Sequence, residues 1–116
     1  MVEEKVLLEN RGTKVIADNE LAYGGHHDYF VDLPGDLRIK VEFQKGPRQN
    51  PDYRQGVLDI DLLYILKDRM ETFIESFSNS AEYNKEALEG INKAIAALEA
   101  RANEREARGV LGTEKE

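Results

Sequence analysis

The sequence predicts an α+β fold in which a small N-terminal antiparallel β-sheet precedes a C-terminal antiparallel hairpin of two helices. From Leu37 to Gln44 apolar and polar residues alternate with a period of two, which predicts a strand with one apolar face. From about residue 57 to 109 apolar residues recur at intervals of three and four, which predicts helices. A chain of 116 residues is expected to form one domain, and its modest core favours an oligomer.

The β-sheet is expected within residues 4–44. Lys5–Glu9, Thr13–Ala17 and Tyr29–Leu33 have the composition of short strands, and Leu37–Gln44 is the fourth. Turn-forming residues separate the first pair of strands and the last pair, and residues 18–25 are expected to form a loop.

An irregular connector is expected at residues 45–56, which contain two prolines and a glycine, and the helical hairpin at 57–109. In the first helix the expected apolar face is broad and comprises Leu58, Leu62, Ile65, Leu66, Met70, Phe73, Ile74 and Phe77. Asp59 and Asp61 occupy its first turn, where the helix dipole favours acids. Ser76–Ser80 is expected to break and cap the helices.

The second helix is expected from Tyr83 to Arg108, with Asn84 in line with an apolar stripe formed by Leu88, Ile91, Ile95, Leu98 and Ala102. Gly109 has the position of a helix-terminating glycine, and residues 110–116 are expected to be a frayed tail.

Composition restricts the classes of partner. The formal net charge of −7 and pI of about 4.9 argue against DNA or RNA. Without cysteine the chain forms no disulfide or thiolate metal site, which fits a reducing cytoplasm. No apolar run is long enough to span a membrane, so a soluble protein is expected.

Arg101, Arg105 and Arg108 share one side of the second helix and form the main candidate binding group. They either pair with nearby glutamates, as is common on solvated helices, or bind phosphate through their planar guanidinium groups. Phe73, one turn after Arg69, either belongs to the core or stacks on a base. Asn84 either buttresses the helix start or reads an adenine edge, because its carboxamide both donates and accepts.

Other candidate residues carry weaker signals. His26 and His27 are adjacent in a glycine-rich loop, but no cysteine or second cluster accompanies them. Asp59 and Asp61 could hold magnesium, yet first-turn acids need no metal. The sequence contains no phosphate-binding loop, dinucleotide fingerprint or nucleophile elbow. We therefore expect no enzyme, no metal and no cofactor.

The C-terminal two thirds of the chain resemble the Thoeris anti-defence protein 1 family of phage sponges, which is related to the anti-CBASS protein 2 sponges. The resemblance runs from the motif FQKGP at residues 43–47, through Leu62-Leu63 and Asp68-Arg69-Met70, to Phe73 and Asn84. It ends with REARGV at residues 105–110 and Gly112-Thr113, its most specific part. The first forty residues match only loosely.

The resemblance implies a protein of the host bacterial cytoplasm that sequesters cyclic nucleotide immune signals without cleaving them, notably glycocyclic ADP-ribose made by TIR-domain proteins. It also implies dimers that assemble into hexamers, with ligand pockets between protomers. By position, Phe73 would stack on adenine, Asn84 would lie beside it, and Arg101 and Arg105 would take the pyrophosphate. Arg69 and Arg108 would be neighbours of the pocket.

Two segments depart from the family pattern. The segment ESFSNSAEY at residues 75–83 lacks the usual Gly-Pro and glutamate, which leaves the preferred ligand isomer open. The loop after Pro47 also differs, and Arg48 and Arg54 are the candidates there for a second, cyclic di- or trinucleotide site. Two rival functions remain: an oligomeric interaction module without a small ligand, and a phosphodiesterase that uses Asp59, Asp61 and the histidines.

Overall fold

The computed structural model describes residues 4–113 of the chain. These residues form two compact units, one made of residues 4–57 and 112–113 and the other of residues 58–111. Four strands precede two helices along the chain, so the predicted α+β fold is confirmed.

The first unit contains a four-stranded antiparallel sheet. Its strands are β1 (Glu4–Asn10), β2 (Thr13–Asp18), β3 (Asp28–Leu33) and β4 (Leu37–Glu42). They lie side by side in chain order, β1-β2-β3-β4. β4 ends two residues earlier than the alternation predicts, because the backbone of Gln44 leaves the sheet and its N–H donates to the Val57 carbonyl at 2.9 Å.

The turn between β1 and β2 explains why the chain reverses where it does. Arg11 and Gly12 have φ angles of 50° and 86°, so both central residues lie in the left-handed region. A two-residue turn of this kind matches the right-handed twist of the strands that it joins. The predicted turn is therefore confirmed, and glycine is favoured at position 12 because it adopts this φ without steric cost.

The register of the strands gives the sheet two chemically different faces. Cross-strand partners share a face, and the register aligns Leu8 with Val15, Val15 with Val31, and Val31 with Ile39. This apolar face was expected to be buried, but Ile39 is 48% exposed and Leu37 57% exposed. The expectation of a dry face is wrong for β4, because the first unit has only one layer of sheet, although Ala17 on the same face is fully buried.

The second unit is a helical hairpin. α1 (Asp59–Ser76) packs against α2 (Ala81–Ala107), and residues 77–80 join them. On α2 the half-buried and buried positions are 81, 84, 88, 91, 94, 95, 98, 102 and 105, so the predicted stripe is confirmed. On α1 the broad apolar face is only partly covered, since Ile65 and Leu66 are exposed.

The helix ends are closed by backbone and side-chain hydrogen bonds. At the start of α1 the Asp61 carboxylate accepts the Leu58 N–H at 2.8 Å. Ser80 precedes α2 as expected but makes no side-chain capping bond. At the end of α2, Gly109 has a φ of 74° and its N–H donates to the Glu106 carbonyl. The Val110 N–H donates to the Arg105 carbonyl, which completes a Schellman motif.

The tail is more ordered than the prediction of fraying over residues 110–116. Val110, Gly112 and Thr113 are half-buried, and the Gly112 carbonyl accepts the Gln49 N–H at 3.1 Å. Residues 114–116 lie outside the described residues.

The described residues bury very little apolar surface. Ile16, Ala17 and Ile95 are the buried residues among positions 4–113, with 3%, 0% and 6% of their surface exposed. A sheet of one layer and a hairpin of two helices each leave one apolar side open.

Candidate functional site

The three C-terminal arginines of α2 have different environments. Arg108 forms a two-pronged ion pair with Glu104, in which Nη2 lies 3.1 Å from Oε2 and Nε contacts Oε1. Arg105 is half-buried, and its Nη2 donates to the Val110 carbonyl at 3.2 Å. Arg101 is exposed and makes no ion pair with any residue from 4 to 113. Ion pairing on a solvated helix therefore accounts for Arg108 but not for Arg101.

The Schellman motif fixes where Arg105 points. Because Gly109 turns the chain back over the last turn of α2, the Val110 carbonyl comes within reach of the Arg105 guanidinium. Arg105 is thus held in place by its own helix end. Arg101, one turn earlier, has no such restraint among the described residues.

The other candidate residues lie where α1 ends and α2 begins. The Arg69 guanidinium lies 4.9 Å from the centre of the Phe73 ring, a cation–π distance. Phe73 is half-buried and its ring centre is 6.1 Å from that of Phe77. Asn84 is also half-buried, in the first turn of α2. This end of the hairpin therefore combines an aromatic ring, a cation and a carboxamide.

Two aromatic residues at this end were not singled out as binding candidates from the sequence. Phe77 is 59% exposed and Tyr83 is 78% exposed. Large aromatic side chains are unusual at so exposed a connection between helices, where polar residues suffice. The available signal was the placement of Phe77 and Tyr83 on both sides of the polar segment at residues 78–80.

A single chain does not bring the two groups together. Phe73 and Asn84 lie beside the connection between the helices, whereas Arg101 and Arg105 lie near the far end of α2. At 1.5 Å per residue, Asn84 and Arg101 are about 25 Å apart along the helix. One small ligand cannot contact both groups within one copy of the hairpin.

The connector arginines mainly hold the connector in place. Arg54 Nη1 lies 2.8 Å from the Asp28 carboxylate, without hydrogen-bond geometry, so this contact is an ion pair. Its Nη2 donates to the Phe43 carbonyl at 2.8 Å. Arg48 is exposed, and its Nε donates to Gln44 Oε1 at 3.0 Å. Of the two, only Arg48 presents an exposed guanidinium.

The two histidines and Asp61 also make local contacts. Nδ1 of His26 lies 3.1 Å from the Glu20 carbonyl, and Nε2 of His27 lies 2.6 Å from the Ala22 carbonyl, so both rings tie down the loop before β3. The Asp61 carboxylate accepts the Leu58 N–H at the start of α1. Among residues 4–113 no three histidine, aspartate or glutamate side chains are grouped to hold a metal ion.

Two open surface depressions lie on the sheet of the first unit. The larger has a volume of about 340 Å³ and is lined by residues 9–14, 32 and 33, around the turn between β1 and β2. The smaller is lined by residues of β3, β4 and their turn. The candidate binding residues therefore line neither depression.

Comparison of the sequence with protein-family models and with curated proteins found no match. Neither helix in the described part of the chain is long and apolar enough to cross a membrane.

Proposed function

We propose that this protein is a phage anti-defence sponge, which binds and sequesters TIR-derived cyclic ADP-ribose signals, glycocyclic ADP-ribose in particular, without cleaving them. The proposal joins the residue pattern that resembles the Thoeris anti-defence protein 1 family with the environment of Arg101. The observation that carries it is the exposed guanidinium of Arg101, which makes no ion pair with the residues that the structure describes and lies one turn from a second arginine.

The charge arrangement at the end of α2 favours an anion. Arg101 and Arg105 are like charges at positions i and i+4, which destabilises an isolated helix by about 0.2–0.5 kcal/mol. A bound pyrophosphate removes this repulsion and accepts charged hydrogen bonds from both groups. Because the chain as a whole is acidic, a pocket of this kind selects a small anion and not a long polyanion.

The aromatic end of the hairpin fits the base of the same ligand. Phe73 is backed by the Arg69 guanidinium on one side, and its neighbour Phe77 is largely exposed. Stacking a base on such a ring contributes roughly 1–3 kcal/mol. Asn84 supplies the donor and acceptor that an adenine edge requires.

Two copies of the chain are needed to complete this pocket. In a twofold dimer with antiparallel α2 helices, the Phe73 end of one copy faces the Arg101 end of the other, and two equal pockets form. Small residues lie between the two ends of α2 at three- and four-residue intervals, which permits close approach of a second helix: Ala87, Gly90, Ala94 and Ala97. The pocket between protomers also agrees with the family that the sequence resembles.

A protein that sequesters its ligand requires different binding properties from an enzyme. Each bound signal molecule is lost to the host effector, so tight binding and slow release matter and turnover does not. The paired arginines allow a pyrophosphate to be buried at acceptable desolvation cost. A second site for cyclic di- or trinucleotides at the connector would rest on Arg48, since Arg54 is ion-paired.

Calorimetry with glycocyclic ADP-ribose tests the proposal. Wild-type protein should bind it tightly, and Arg101→Ala should weaken binding by about 10- to 150-fold, which corresponds to 1.5–3 kcal/mol. Lys93→Ala is the matched control, because it removes one exposed positive charge from the same helix away from the arginines. Equal affinities of the wild-type protein and both variants would refute the assignment.

The fate of the ligand separates a sponge from the phosphodiesterase. After incubation, heat denaturation and chromatography, a sponge returns the ligand intact, whereas a phosphodiesterase returns a cleaved product.

The small core and the exposed apolar surfaces favour the rival function, an oligomeric interaction module without a small ligand. A thermal-shift screen distinguishes it, since a ligand that binds only the folded state raises the melting temperature. Cyclic ADP-ribose isomers and cyclic di- and trinucleotides that all leave the melting temperature unchanged would support the module.

A further inference from the structure

Arg69 and Phe73 make the closest contact between a cation and an aromatic ring among the described residues of the helical unit. The carbon of the Arg69 guanidinium lies 4.9 Å from the centre of the Phe73 ring. The two residues are four positions apart on α1, so their side chains share one face of the helix. The contact is therefore built by α1 alone and needs no other part of the chain.

The residues around Arg69 explain why its guanidinium lies on the ring. An ion pair on a helix forms most readily with an acid three or four positions away, as Arg108 does with Glu104. No acidic residue occupies these positions around Arg69, which hold Ile65, Leu66, Thr72 and Phe73. Of these four side chains, the aromatic ring offers a guanidinium the largest attractive surface.

The Phe73 ring has a second neighbour, Phe77, four positions further along the chain. The two ring centres are 6.1 Å apart, and the ring planes are tilted by 54°. The Phe77 N–H donates to the Phe73 carbonyl at 2.9 Å, so the backbone fixes the position from which this second ring approaches. Side chains from the preceding and the following turn therefore both contact the half-buried Phe73 ring and restrict its rotation.

The distance between Arg69 and the ring decides what Arg69 does for a bound base. Stacked aromatic groups have their centres about 4.5–7 Å apart, and the guanidinium already lies 4.9 Å from the ring centre. A base inserted between the two groups would require about twice that separation. Arg69 therefore cannot form the far side of a sandwich around the base without leaving the ring, and its effect is on the ring itself.

We propose that Arg69 is a positioning residue, which holds the Phe73 ring in the orientation that stacks on the adenine base and does not itself contact the ligand. This role rests on the proposed function, in which Phe73 stacks on the base of a cyclic ADP-ribose signal. A ring that is already held in place loses less conformational freedom when the base binds, so its ordering subtracts less from the affinity.

The strength of the contact sets the size of the expected effect. A cation–π contact at an exposed site corresponds to about a two- to fivefold change in an equilibrium constant. A guanidinium that bound the pyrophosphate directly would change the affinity by about tenfold or more, because a charged hydrogen bond would be lost. Loss of the Arg69 cation should therefore weaken ligand binding by a small factor, and only while the Phe73 ring is present.

A double-mutant cycle, measured by calorimetry with glycocyclic ADP-ribose, tests this role. Arg69→Gln removes the cation but keeps a long side chain of similar helix propensity, and it should weaken binding about two- to fivefold in the otherwise wild-type protein. In a Phe73→Leu background, which keeps an apolar side chain in the hairpin, the same substitution should cause no further change because the ring is gone. Arg69→Lys keeps a cation and should retain part of the affinity that Arg69→Gln loses.

Lys67→Gln is the matched control. The Lys67 ammonium lies over another ring of α1, with Nζ 5.6 Å from the centre of the Tyr64 ring, so this substitution removes an equivalent contact away from Phe73. It should leave the affinity unchanged. A second measurement needs no ligand: in NMR spectra of the free protein, the ring should shift the side-chain protons of Arg69 upfield, and this shift should vanish in Phe73→Leu.

Equal weakening by Arg69→Gln with and without the Phe73 ring would overturn the proposal, because it would indicate a direct contact between Arg69 and the ligand. Unchanged affinity of Arg69→Gln, or Arg69 protons without the upfield shift, would overturn it as well. A wild-type protein that binds no ligand would instead refute the proposed function, and the role of Arg69 with it, so the two failures are distinguishable.

Discussion

Two variants that each lose ligand binding should regain it when they are combined in one oligomer. Phe73→Ala removes the aromatic group at one end of the hairpin, and Arg101→Ala removes a cation near the other end. Because these ends are about 25 Å apart along the helix, one copy cannot supply both groups to one ligand. In a mixed dimer, however, the intact Phe73 of one copy faces the intact Arg101 of the other.

The expected recovery follows from the symmetry of the dimer. Random exchange of two variants gives mixed dimers as about half of all dimers, and each mixed dimer has one intact pocket and one with both defects. About a quarter of all pockets should therefore bind with wild-type affinity. In each variant alone, loss of roughly 1–3 kcal/mol should weaken every pocket about 5- to 150-fold.

Co-expression of the two variants with different affinity tags, followed by calorimetry, measures this recovery. The binding stoichiometry should be about a quarter of the wild-type value in the unfractionated mixture and about half in doubly purified mixed dimers. Each variant co-expressed with a tagged copy of itself is the control. Mixed dimers that form but bind no more ligand than the single variants would refute a pocket shared between copies.

Three further predictions concern the stability of the chain. Arg105→Ala removes the guanidinium bond to the carbonyl after α2, so the free energy of unfolding should fall by about 1 kcal/mol in denaturant titration. Gly56→Ala places a methyl group 2.5 Å from a backbone carbon and should therefore lower the melting temperature. The hydrogen bond from Arg38 holds the pKa of Asp32 below its ordinary value of 3.8. The stabilisation from this bond is therefore complete above pH 3.8 and is lost as the pH falls through the lower folded-state pKa. In urea titrations between about pH 2 and 5, the free energy of unfolding of Asp32→Asn should change less with pH than that of the wild-type protein.

The candidate site could be located from the sequence only in part. Periodicity placed Asn84 in line with the buried stripe and Arg101 one turn before Arg105, and both placements hold in the helix. Periodicity could not distinguish the arginines by partner, because that depends on the Schellman turn that brings Val110 to Arg105 and on the rotamer that pairs Arg108 with Glu104. The separation of about 25 Å between Asn84 and Arg101 follows from their spacing in the sequence, because α2 is continuous between them.

The sequence by itself determined the element order, the turns and the alternation of the strands, because these depend on local dihedral preferences and on the periods of strand and helix. Burial was decided by tertiary structure alone. The alternation from Leu37 onwards correctly marked one side of β4 as apolar, yet whether that side is dry depends on a second layer, which the single sheet of this unit lacks. The alternation of residues determines which face of a strand is apolar, whereas only the packing of complete elements determines whether that face is buried.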